Sequence, residues 1–71
     1  MKEKIGEAAG KIWYVLRENE EVAISQFPRM IKEKTFIVHQ ALGWLAREDK
    51  IVYRAKGNKI YVALIESEKR E

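Results

Sequence analysis

At Lys50 the spacing of apolar residues in this 71-residue chain changes from a helical period to a strand period. That switch constrains the fold more than any other feature. Before it, Val38, Ala41, Leu42 and Leu45 fall within about 60° of one line on a helical projection, which predicts a helix from Thr35 to about Glu48 with Thr35 as its cap. After it, Ile51, Tyr53 and Ala55 alternate with Val52 and Arg54, the pattern of a strand. Lys56-Gly57-Asn58-Lys59 then sets a Gly-Asn pair before the apolar run Ile60 to Ile65, a signal for a two-residue hairpin turn. A helix that runs straight into a hairpin implies an antiparallel sheet in an α+β domain.

The chain upstream supplies the partners. Ile5, Ala8, Ala9, Ile12, Val15 and Leu16 form one stripe of a helix from Glu3 to Asn19, with Asn19 as its C-terminal residue. Val22 to Ile24 is long enough only for an edge strand, the third of a small sheet. Ser25 offers an N-cap and Pro28 fits a first turn, opening a short helix with Phe27, Met30 and Ile31, and Lys32 to Lys34 make a turn. Residues 66–71 contain no apolar side chain, so a domain over residues 1–65 followed by a disordered, charged tail is expected.

Composition narrows the chemistry. With no cysteine, one His (His39) and one Asp (Asp49), the chain has little from which to build a nucleophilic triad or a metal site, and neither enzyme activity nor a cofactor is expected. No segment resembles a secretory signal, and the longest apolar run, Ile60 to Ile65, is far short of a membrane span. A cytoplasmic protein with no membrane contact is expected. The net charge of +3 is mild but uneven: residues 1–33 hold six basic and six acidic side chains, and residues 34–71 hold eight and five. An anionic partner should therefore meet the second half.

The predicted order of helix, short strand, helix, turn, helix and hairpin resembles a winged helix-turn-helix domain, with three helices, a small three-stranded antiparallel sheet and a hairpin wing. Asp49 stands where many such sequences place a helix-ending glycine, and aspartate tolerates the left-handed backbone this requires better than most residues. A closer resemblance lies in Ala41-Leu42-Gly43-Trp44-Leu45-Ala46-Arg47-Glu48 with Lys50-Ile51, together with Ile5-Gly6-Glu7, Ala9-Gly10 and Ile12-Trp13. These residues look like a family of short, stand-alone prokaryotic winged-helix proteins of uncharacterised function, over about residues 4–65. The resemblance implies the fold and carries no catalytic or binding residue across.

Two surfaces compete as the functional one. In a helix-turn-helix domain the exposed side of the third helix enters the major groove. Here that side holds Phe36, His39, Gln40, Gly43 and Arg47, and no formal charge lies between Thr35 and Ala46. The wing is richer, because Lys50 to Lys59 carry four cations (Lys50, Arg54, Lys56, Lys59) and no acid, although edge strands also carry Lys simply to prevent aggregation. One reading is therefore a DNA-binding protein that holds duplex phosphates through Lys34, Arg47, Lys50, Arg54, Lys56 and Lys59, with His39 and Gln40 nearest the bases. Four to six such contacts would give weak sequence preference and a log–log salt slope of roughly −4 to −5. The other reading is a protein-interaction or dimerisation module. Gly6 and Gly10 lie opposite the buried stripe of the first helix beside Trp13, with Tyr14 on the exposed side, and each glycine weakens the helix by roughly 0.5–1 kcal/mol. Either another element of the same chain or a second chain should lie over them, and a homodimer through Gly6, Gly10 and Trp13 is expected, with Tyr14 and Phe36 as further apolar surface. Trp44 and Ile37 flank the stripe of the third helix, where an outer-core role is expected.

Overall fold

The computed structural model describes residues 2–69. Helix α1 (Lys2–Glu18) turns Ala8, Ala9, Ile12 and Leu16 inward, and α3 (Thr35–Arg47) meets it with Ile37, Val38, Ala41, Leu42 and Leu45. Between them run strand β1 (Val22–Ala23), a 3-10 turn (Ile24–Gln26) and the four-residue α2 (Phe27–Met30). Strands β2 (Ile51–Lys56) and β3 (Lys59–Leu64) form the hairpin, and β3 lies between β1 and β2 in an antiparallel sheet. The core collects at the junction of these layers, where Phe27, Ile12, Leu64, Val38 and Val62 are fully buried. The winged helix-turn-helix architecture expected from the element order is the one observed.

Helix ends follow local chemistry. At the end of α1 the Asn19 side-chain amide donates to the Val15 carbonyl at 2.8 Å, which satisfies one of the orphan acceptors of the last turn. Helix α3 ends in a Schellman motif: Asp49 takes φ +58, its N–H bonds the Ala46 carbonyl, and the Lys50 N–H bonds the Leu45 carbonyl, both at 3.0 Å. Asp49 thus fills the glycine position as its tolerance for the left-handed region predicts. Lys32, at φ +56, closes α2 in the same way, with the Glu33 N–H on the Pro28 carbonyl at 3.0 Å. The N-terminal caps differ from expectation. Ser25 lies inside the 3-10 turn and Thr35 is already helical, so Gln26 and Lys34 are the cap residues, neither with a capping side-chain bond. The Gln26 side chain instead turns back to accept the Ala23 N–H at 3.3 Å.

The hairpin turn is as the Gly-Asn pair requires. Lys56 pairs with Lys59, and positive φ is confined to Gly57 at +61, the pattern of a type II′ turn. Only Ile51 of β2 is buried, because the hairpin projects beyond the core and leaves Val52, Tyr53 and Ile60 exposed. The tail expectation is corrected for residues 66–69. Glu66–Lys69 form a helical turn, α4, because Trp13 donates its indole N–H to the Glu68 carboxylate at 2.8 Å and the Glu68 N–H bonds the Ile65 carbonyl at 3.1 Å. Residues 70 and 71 lie outside the described residues.

Candidate nucleic-acid interface

The exposed face of α3 carries Thr35, Phe36, His39, Gln40, Gly43 and Arg47, as the helical period dictates once Val38, Leu42 and Leu45 are buried. The tip of the wing reaches toward the first turns of that helix. Between them opens a cleft of about 410 Å³ whose polar lining is Ser25, Thr35, His39, Asn58 and Lys59, with no carboxylate among its lining residues. His39 and Lys59 are thereby brought together from opposite ends of the second half of the chain. Gln40 is exposed one residue further along α3, and Arg47 lies in its last turn.

The remaining cations are placed differently. Arg54 and Lys56, on the outer face of β2, both reach Glu21, the residue before β1: the Arg54 guanidinium is 3.3 Å from one carboxylate oxygen and the Lys56 ammonium bonds the other. Lys56 also lies 5.4 Å from the centre of the Tyr61 ring, and Tyr61 is the cross-strand partner of Arg54. The Lys56 hydrogen bond, with smaller contributions from the Lys56 charge and from Arg54, holds the Glu21 carboxyl below its ordinary value against an opposing desolvation. The wing that reads as four cations and no acid is therefore partly neutralised by a residue more than thirty positions upstream.

Lys34 lines a separate cleft with Lys4, Lys32, Glu33 and Phe36, where Lys4 pairs with the nearly buried Glu33 at 3.3 Å. Phe36 is 53% exposed there, so it does not join the apolar surface of α1. Lys50 does not join the wing either. It lines a mostly apolar groove of about 440 Å³ with Gly6, Gly10, Trp13, Tyr14 and Trp44, bordered by Glu48 and Glu68. Trp44 was expected in the outer core but is 45% exposed, because α1 presents glycines rather than side chains opposite it. A Cβ built on Gly6 or Gly10 meets nothing within 4 Å, so among the described residues no element occupies the space that the glycines leave. Trp44 and Glu68 are the groove residues that sequence reasoning missed; the glycine pair one helix away was the available signal for the first, and nothing local pointed to the second. Among the described residues no helix is long and apolar enough to cross a membrane, and no cluster of His, Asp and Glu could hold a metal ion.

A three-helix core, a hairpin wing beside the exposed face of α3 and a three-stranded sheet define the winged-helix class. The profile of the winged helix-turn-helix domain family DUF2582 matches residues 1–64, and the chain belongs to that family. It is 49% identical over 51 residues to the uncharacterized protein MJ1608 of Methanocaldococcus jannaschii, covering 68% of this chain and 71% of that protein. It is similar to the solution structure of protein BT2368 from Bacteroides thetaiotaomicron, with a TM-score of 0.79 and 33% identity over 90% of this chain and 78% of that one. It shares its fold with reduced HlyU from Vibrio cholerae at a TM-score of 0.77 and 19% identity, covering 87% of this chain and 65% of HlyU, so the chain spans just under two thirds of that protein's length.

Proposed function

We propose that this domain binds double-stranded DNA through phosphate contacts, with little sequence preference. The observation that supports the reading is the carboxylate-free cleft between α3 and the wing tip, where Lys59, His39, Thr35 and Asn58 can all donate to one backbone segment. Lys34 and Arg47 extend the contact toward the two ends of α3, and Gln40 is the side chain placed to reach a base edge. Phe36 and Gly43 occupy the same face where a sequence reader carries donors, which limits base readout. Arg54 and Lys56 join only by exchanging Glu21 for phosphate, and Lys50 belongs to the groove on α1. Three or four phosphate contacts give a log–log salt slope of roughly −3 to −4, shallower than the wing's charge alone implies. Fluorescence anisotropy with several unrelated duplexes at two salt concentrations tests this. Similar affinities with that slope are expected; no binding at low salt, or strong preference for one duplex, overturns it.

A second reading, the α1 groove as a protein-docking surface, is favoured by the open space over Gly6 and Gly10 beside the exposed Tyr14 and Trp44. The two readings use different faces and are compatible.

A further inference from the structure

The exposed edge of α1 is self-complementary. Glu3, Gly6, Gly10, Trp13 and Arg17 recur at alternating spacings of three and four, so they form a single stripe along the helix. Its middle is vacant, since added Cβ atoms at Gly6 and Gly10 touch nothing. Its wall is fixed: the Trp13 indole is held by Glu68 at 2.8 Å on one side and by the Arg17 guanidinium 5.0 Å from its ring centre on the other. Beside the stripe Tyr14 projects with 66% of its surface exposed, its ring edge-on to Trp13 at 5.4 Å. The stripe thus offers a hole, a knob and opposite charges at its two ends.

We infer that the α1 groove is occupied by a second copy of this chain, with the two α1 helices crossing antiparallel at Gly10 about a twofold axis. This rests on the reading of the groove as a docking surface. The arithmetic of the stripe carries the choice of partner. When Gly10 faces Gly10 of the partner, Tyr14 falls opposite the partner's Gly6, and Arg17 falls opposite the partner's Glu3. Each tyrosine then fills the space that the other copy's glycine leaves beside Trp44, in a groove of about 440 Å³ that is ample for a phenol ring. A cation at the C-terminal end of one helix meets an anion at the N-terminal end of the other, the sign that both macrodipoles favour. An isologous interface needs one patch complementary to itself, and here the same stripe supplies both halves. The glycines, which weaken α1 without serving any contact among the described residues, are explained by the close approach of two helices.

Sedimentation equilibrium of the full chain without DNA tests the inference. The unmodified protein is expected to be a dimer at high micromolar concentration. Gly10→Leu should fold, with a raised melting temperature at concentrations where both proteins are monomeric, because it replaces a helix-weakening residue in open space, yet its dimer should weaken at least about tenfold through overpacking at the axis. Glu3→Arg and Arg17→Glu should each weaken the dimer, and the double exchange should restore it. A monomeric unmodified protein overturns the second-copy occupant. A dimer indifferent to Gly10→Leu overturns the docking surface itself. A dimer that responds to Gly10→Leu but is not rescued by the double exchange leaves the groove in use and overturns the antiparallel register.

Discussion

Replacing Glu21 with glutamine tests how the wing's charge is controlled. Glu21 is the acceptor for both Arg54 and Lys56, so as long as it is ionised these two cations have a carboxylate that any phosphate must displace. Glutamine keeps the size of the side chain and removes the charge. Two additional cations become available to duplex phosphates, and each adds about −0.9 to the log–log salt slope, so the slope should steepen by about 1.8, from roughly −3 or −4 to roughly −5 or −6. Affinity at low salt should rise together with the slope. The fold should be intact, because ion pairs this exposed contribute little to stability. Anisotropy titrations of one duplex between about 50 and 200 mM salt measure the slope directly. Adding Arg54→Gln and Lys56→Gln to the Glu21→Gln protein should return the shallower value. A Glu21→Gln protein whose slope and low-salt affinity match the parent refutes the reasoning, since it would mean that the wing's outer face does not touch DNA. The clamp also has a pH signature. The Glu21 carboxyl is held below its ordinary value near 4.5, first by the Lys56 hydrogen bond, so the stability the clamp contributes is present above that value and lost as pH falls through the lower folded-state value. Carboxyl-detected NMR titration should therefore show Glu21 among the last glutamates to protonate.

Three further substitutions probe the scaffold. Leu45→Ala removes the last large side chain of the buried stripe of α3, where Leu45 is 5% exposed; a loss of about 2–5 kcal/mol is expected against a total of about 3–5 kcal/mol for a domain this small, so circular dichroism should show a largely unfolded chain at room temperature. Asp49→Gly relieves the left-handed backbone at the end of α3 and should stabilise by about 1 kcal/mol, raising the melting temperature by about 4–8 °C in a thermal scan. Trp13→Phe removes the donor to Glu68, with a loss of about 1 kcal/mol expected, and amide hydrogen exchange should accelerate in residues 66–69 while α3 stays protected.

The parts of this fold that were legible in the sequence are those that short-range physics decides. The stripes of α1 and α3 follow from where apolar side chains recur on a helix, and burial leaves the structure no alternative face. The hairpin follows from Gly57 taking positive φ, and the end of α3 from Asp49 doing the same. The cap assignments missed by one residue because a cap is a backbone conformation as well as a residue type. Ser25 is drawn into a 3-10 turn by the pairing of β1 with β3, and the turn at Lys32 delivers Thr35 already in helical geometry.

The candidate site was legible only in its local half. The exposed face of α3 and the cations of the wing could be read directly, but what pairs with those cations depends on strand order. Because β3 lies between β1 and β2, the long side chains of Arg54 and Lys56 can reach over it to Glu21, a contact that no window along the chain contains. The same long-range assembly sends Lys50 to the α1 groove and holds the turn at residues 66–69 through a tryptophan 55 positions away. Charge counted along a segment therefore overstates the wing, while Lys59, which counts for only one cation in four, is carried by the turn to the carboxylate-free cleft that it lines with His39. If backbone phosphates are the ligand, the wing's contribution comes first from its tip, and its stem contributes in proportion to how readily Glu21 gives way.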